Sequence, residues 1–144
     1  SGQLQRTRST RDRRRCDDTG MTLVLIAVGG AAGAVSRYLI QGWVEELAGG
    51  RFPWGTFAVN ISGSFVLGVV FALAIDRAFL SPEVRVPLMI GFISSYTTVS
   101  TLMLESWRLI EEGDIVFALG NLVVSIAVGM AAVIGGLALG RYLT

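Results

Sequence analysis

The stretch GFISSYTTVSTLMLE, Gly91 to Glu105, lies where a third membrane-crossing helix is expected. It nevertheless carries Ser94, Ser95, Tyr96, Thr97, Thr98, Ser100 and Thr101. Polar groups at membrane depth cost free energy unless protein, ions or water satisfy them, so this run is the first candidate for a permeation or ion site. On a helix, Ser94, Thr98, Thr101 and Glu105 fall at i, i+4, i+7 and i+11, one hydroxyl-lined face ending in a carboxylate. A plainer reading has each hydroxyl bond back to the preceding turn of its own helix. That suits one or two residues better than seven crowded together. Clustered Ser and Thr also compete for backbone bonds, so a break in this helix is expected. A break at depth frees carbonyls that a cation can satisfy.

The rest of the chain supplies a membrane context for this run. Its 144 residues are 52% hydrophobic with a mean hydropathy of +0.61, and include 18 Gly, one Cys and no His. These values describe a small polytopic all-α membrane protein and not a soluble domain. With no His and only Cys16, the chain has no His- or Cys-based metal site and no intrachain disulfide. Ser–His and Cys–His catalysis are excluded in the same way, and an enzyme is not expected. The basic side chains are all arginine, and half of them lie in the first fifteen residues. That pattern needs no nucleic acid to explain it. Residues 1–20 (SGQLQRTRSTRDRRRCDDTG) lack apolar periodicity and read as a disordered basic tail. Met21 is a candidate start, which would make the tail an extension of a channel domain over 21–144.

Four apolar stretches follow, each close to the about 20 residues that cross a bilayer. The first runs from about Thr22 to Ile40 and places Gly29, Gly33 and Arg37 at four-residue spacing. Its glycines let a neighbouring helix approach closely, and Arg37 either faces protein or snorkels to the interface. A loop from Gln41 to Pro53 leads into the second span, about Trp54 to Ile75. Here Thr56, Asn60 and Ser64 share a face. The Asn60 amide offers donors and an acceptor that all need partners: it either bonds a neighbouring helix or offers N–H to a passing anion. Ser81-Pro82-Glu83 is a helix start for the third span, which reaches about Ile110. The fourth span, about Ile115 to Leu139, repeats Asn121, Ser125 and Gly129 at four-residue spacing. This small, polar face is expected to meet those bearing Asn60 and Thr98.

Arginine counting bears on orientation, because short loops orient by their Lys and Arg. Outside the tail, Arg77, Arg85 and Arg141 fall on one side and Arg37, Arg51 and Arg108 on the other. A balanced body inserts either way, and two opposed copies form an antiparallel dimer. The tail arginines would favour a cytoplasmic N-terminus.

Four blocks together resemble the Fluc (CrcB) family of fluoride channels: GGAAGAVSRY (Gly29 to Tyr38), GTFAVNISGSFVLG (Gly55 to Gly68), GFISSYTTVST (Gly91 to Thr101) and NLVVSIAVG (Asn121 to Gly129). The resemblance implies a multi-pass protein of the cell inner (plasma) membrane, surrounded by lipid. It further implies a dual-topology antiparallel homodimer with two narrow pathways for the fluoride ion and a structural Na+ at the dimer centre. By the same resemblance, Arg37 matches the arginine at the end of the first span, Asn60 the pore asparagine and Thr56 its upstream threonine. Backbone carbonyls at Ser94 and Thr97 match the sodium ligands. Ser100, Thr101 and Ser125 match the polar track, and Glu105 the glutamate beyond it. Ser94-Ser95 stand where the family usually has two glycines. Val99 and Leu102 stand where it has two phenylalanines whose polarised ring edges face the anion. Tyr96 is a new aromatic beside them.

The chemistry implied is passive: hydroxyl and amide donors replace fluoride's water, and the trapped anion leaves down its gradient, relieving toxicity. Three other readings compete. A proton-coupled drug exporter needs an ionisable carboxylate within the membrane, whereas the first span has none and Glu105 lies near a helix end. With Val99 and Leu102 in place of rings, the chain could instead pair with a paralogous subunit as a heterodimer. A structural membrane subunit would leave the clustered hydroxyls without a task.

Overall fold

The computed structural model describes residues 18–76 and 78–143, so the tail expected over residues 1–20 lies, but for its last three residues, outside them. The described residues form four helical spans long and apolar enough to cross a membrane: Asp18–Ala48, Trp54–Asp76, Pro82–Glu111 and Ile115–Tyr142. The first is α1, described over Asp18–Ala48, so the last three residues of the tail expected to be disordered are helical. The second is α2 (Trp54–Phe71), ending in a wide π-turn over Ala72–Asp76. The third is assembled from α3 (Pro82–Val86), a π-helical stretch over Pro87–Ile93, α4 (Ser94–Tyr96) and α5 (Val99–Glu111), and the fourth is α6 (Ile115–Tyr142).

The spans end where the chain's chemistry changes. Gly113, at φ 84°, closes α5: its N–H bonds Ile110 C=O at 3.0 Å and Asp114 N–H reaches back to Leu109 C=O at 2.8 Å. This double closure needs a residue that tolerates positive φ, and glycine does so without strain. In the third span Pro87 has no N–H to give, and the ladder after it widens to i→i+5 bonding.

The first span continues past Ile40 to Ala48, so most of the expected loop over Gln41 to Pro53 is helix. The reason is specific pairing. Gln41 Nε2 donates to Thr56 Oγ1 at 3.0 Å, and Glu45 Oε2 accepts Gly55 N–H at 2.8 Å. These side chains cross-brace α1 to the start of α2, and Glu45 satisfies one of its orphan N–H groups.

Small residues set the distances between helices. A Cβ at Gly33 would run into Phe92 O, and one at Gly29 would lie 2.9 Å from Pro87 O, so α1 rests directly on the backbone of the third span. In the same way a Cβ at Gly136 would strike Phe65 O, which holds α6 against α2. Val59, Thr56 and Asn121 are fully buried between the helices. Large apolar side chains such as Leu25, Val28, Val35 and Leu39 on α1 remain exposed, as a lipid-facing surface requires. Ion pairs brace both ends: Arg51 to Asp114 at 2.7 Å, and Arg141 to Asp76 at 2.7 Å.

Candidate functional site

Helical geometry is interrupted within the third span. Thr97 (φ −84°, ψ 155°) and Thr98 (φ −151°, ψ 114°) are extended between α4 and α5. In an unbroken helix the N–H groups of Thr98 and Thr101 would reach the carbonyls of Ser94 and Thr97. Here Thr98 N–H bonds Asn60 Oδ1 at 2.7 Å and Thr101 N–H bonds Thr98 Oγ1 at 3.2 Å. The Ser94 and Thr97 carbonyls have therefore lost their helical donors. Thr98 is the N-cap of α5, which explains why the helix restarts there.

Asn60 supplies the opposite edge. Besides accepting from Thr98 N–H, its Nδ2 donates to Thr98 O at 3.0 Å. Of its two expected roles, the interhelical bond is thus made. An amide has two N–H protons, and Asn60 also lines a groove of about 330 Å³ with Thr97, Val99, Leu102, Ser125 and Gly129. Val99 is 69% exposed on its rim and Leu102 is buried in its wall. Both expected ring positions thus lie beside Asn60, and neither carries a ring.

Five of the seven hydroxyls of the run from Ser94 to Thr101 divide into two sets. Ser94 Oγ donates to Met89 O at 2.9 Å and Thr97 Oγ1 to Ile93 O at 3.2 Å, so for these two the plain back-bonded reading holds. Thr98, Ser100 and Thr101 form a cluster instead, with Thr98 Oγ1 at 2.9 Å from Thr101 Oγ1 and 3.3 Å from Ser100 Oγ. The single face expected from Ser94 to Glu105 is therefore not formed. The break at Thr97 and Thr98 separates Ser94, which is exposed, from Thr101 and Glu105, which share α5.

Thr56 and Glu105 meet, one end removed from the groove. Thr56 Oγ1 takes the Gln41 amide proton and gives its own to Glu105 Oε1 at 2.6 Å, while Glu105 Oε2 is buried without a donor. A cavity of about 190 Å³ lies there, lined by Glu45, Arg51, Glu105, Arg108 and Glu112. Ser125, on α6, belongs to another chain of bonds: its Oγ donates to Asn121 Oδ1 at 3.4 Å, and Asn121 Nδ2 donates to Ser106 Oγ at 3.0 Å. Arg37 is half-buried and makes no ion pair among the described residues.

Sequence reasoning missed Gln41, Ser62 and Ser106. For Gln41 a signal existed, since Gly29, Gly33, Arg37, Gln41 and Glu45 repeat at four-residue spacing and mark one continuous helical face. Ser62 and Ser106 gave none, because each depends on a partner from another span: Tyr96 for Ser62 and Asn121 for Ser106.

A family model described as CrcB-like protein, Camphor Resistance (CrcB), matches residues 24–137. The chain is 45% identical over 119 residues to a protein of Hahella chejuensis named fluoride-specific ion channel FluC, covering 83% of this chain and 94% of the relative. It is 48% identical over 121 residues to fluoride-specific ion channel FluC 1 of Symbiobacterium thermophilum, covering 83% of this chain and 98% of that one. A relative of the same name from Agrobacterium fabrum is 43% identical over 123 residues, covering 85% and 98% respectively. The four apolar spans, the interrupted third span and these matches along nearly all of the described body identify the chain as a member of the CrcB family.

Proposed function

We propose that this chain is a passive, fluoride-selective ion channel of the bacterial plasma membrane, and not an enzyme, which lets cytoplasmic fluoride leave down its gradient. The observation that carries this reading is the groove beside the helix break, bordered by Thr97, Ser125 and the Asn60 amide, whose second N–H has no partner among the described residues. Fluoride is small and strongly hydrated, so a selective path must offer N–H and O–H donors in place of water. HF enters from acidic surroundings as a neutral molecule and ionises in the more alkaline cytoplasm, and the open path drains the trapped anion. No nucleotide or coupling site is needed.

The working unit is an antiparallel pair of copies. The balanced arginines support it, with Arg51 and Arg108 at one end and Arg85 and Arg141 at the other. The groove also opens onto the surface of the single chain through the exposed Val99.

A structural Na+ fits the residues present. The carbonyls of Ser94 and Thr97, stripped of helical donors, are neutral oxygen ligands suited to a hard cation. These two residues would hold it. When bound, it supplies fixed positive charge in a low-dielectric setting, where charge acts more strongly than in water.

Efflux from liposomes reconstituted with this chain alone, read with a fluoride electrode and compared with chloride, tests the reading. Rapid fluoride-selective efflux is expected. Absence of efflux from a well-folded dimer would overturn the homodimeric channel and favour pairing with a paralogous subunit that carries the rings missing at Val99 and Leu102.

A further inference from the structure

Three contacts from one short stretch of α2 fasten the interrupted segment on both flanks. Asn60 binds Thr98 on the far side of the break. Gly63 lies against Thr97 itself: a Cβ there would run into Thr97 Cγ2 and approach Tyr96 Cδ1 to 3.0 Å. On the near side, Ser62 Oγ and Tyr96 Oη are 2.9 Å apart.

The direction of that last bond follows from proton counting. Ser62 has one hydroxyl proton and gives it to Ala58 O at 2.7 Å, so Tyr96 must donate to Ser62 Oγ. The tyrosine's proton is thereby used inside the protein. Its ring is used as well, stacked on Phe92 at 6.0 Å with 6° between the planes and seated on Gly63. Tyr96 therefore does not take over the task of the missing phenylalanine rings. It is 9% exposed and bound at both its ring and its tip.

Tyr96 immediately precedes Thr97, whose carbonyl has lost its helical donor, and Thr98 beyond it is held by Asn60. The peptide unit between Thr97 and Thr98 cannot turn without breaking the Thr98 N–H bond to Asn60, and the bond from Tyr96 to Ser62 fixes the residue that leads into it. We propose that Tyr96 is a positioning residue: its hydrogen bond to Ser62 aims the freed carbonyls of Ser94 and Thr97 at the bound cation, so that cation affinity depends on a hydroxyl that never touches the ion. This inference rests on the sodium reading above.

The test uses the full chain and measures both the Na+ concentration giving half-maximal thermal stabilisation in detergent and that giving half-maximal fluoride efflux from liposomes, with a large organic cation replacing Na+. Tyr96→Phe removes one oxygen and keeps the ring and its packing. Loss of one neutral hydrogen bond predicts a rise of about five- to tenfold in each concentration. Ser62→Ala should match it, and the double variant should be no worse than either single one, because both remove the same bond. Tyr38→Phe, at an exposed hydroxyl, should change nothing. An unaltered Na+ requirement in Tyr96→Phe would overturn the proposal, even if thermal stability fell. A parent chain whose efflux ignores Na+ altogether would overturn the sodium reading and this inference with it.

Discussion

The side-chain amide of Asn60 pairs with both backbone polar groups of Thr98, accepting from its N–H at 2.7 Å and donating to its C=O at 3.0 Å. Thr98 is extended, and the amide gives it the two-bond partner that a neighbouring strand would give in a sheet. A helix interrupted inside a membrane needs such a substitute, because no water is at hand to satisfy the exposed peptide groups.

Replacing Asn60 separates its two tasks. Asn60→Ala leaves the Thr98 N–H and C=O without partners, at a cost of about 1–3 kcal/mol for each group. Thermal unfolding in detergent reads that loss. Asn60→Asp still accepts from Thr98 N–H but has no donor for the carbonyl and sets negative charge beside the groove. Fluoride efflux is expected to stop in this variant, and undiminished flux would refute the role assigned to the amide.

The close approach of α1 to the third span makes a sharp contrast between two glycines. A Cβ at Gly33 meets Phe92 O, which belongs to backbone and cannot swing away, whereas one at Gly42 meets nothing within 4 Å. Gly33→Ala should therefore destabilise the protein by about 1–3 kcal/mol, the usual cost of overpacking. Gly42→Ala should leave the unfolding temperature unchanged or slightly raised, since alanine favours helix.

The number and order of the spans were legible because hydropathy and length alone separate them. The glycine contact of α1 was legible too, because Gly29 and Gly33 repeat at helical spacing. The arrangement within the Ser/Thr run was harder to read. Helical periodicity assumes an unbroken helix, and the extended pair Thr97 and Thr98 resets the phase, moving Ser94 off the face that Thr101 and Glu105 share. Partners drawn from other spans, such as Tyr96 for Ser62, leave no periodic trace at all. The end of α1 was misjudged for a different reason: Gln41 and Glu45 look like loop residues by composition, yet both are spent on binding the start of α2.

Two polar contacts near the Arg51 end should differ widely in worth. Thr56 is fully buried, takes the Gln41 amide proton and supplies the one hydrogen bond made to the Glu105 carboxylate among the described residues, the other Glu105 oxygen being buried without a donor there. Thr56→Val keeps the shape and removes the hydroxyl, leaving the carboxylate with no donor at all. A loss of about 1–3 kcal/mol is expected. Arg51 is 68% exposed, so breaking its pair with Asp114 through Asp114→Asn should cost under about 1 kcal/mol, and less in high salt. Unfolding curves at two ionic strengths separate the cases.

The aliphatic residues at the groove make the last contrast. Asn60 can offer its second N–H to an anion there, whereas Ser125 spends its proton on Asn121 Oδ1 and Val99 and Leu102 have no polarised edge. Val99 is 69% exposed at the rim, and Leu102 borders a space of about 330 Å³, so a phenyl ring at either position has room. Val99→Phe and Leu102→Phe would each set a ring in the groove wall beside the amide and the serine. Each variant is expected to raise fluoride efflux from liposomes relative to the parent while chloride efflux stays at background. The gain should be larger in the double variant, where an anion could lie between two ring edges. Equal fluoride flux in all four proteins would mean that the Asn60 amide and the hydroxyls alone set the selectivity of this chain.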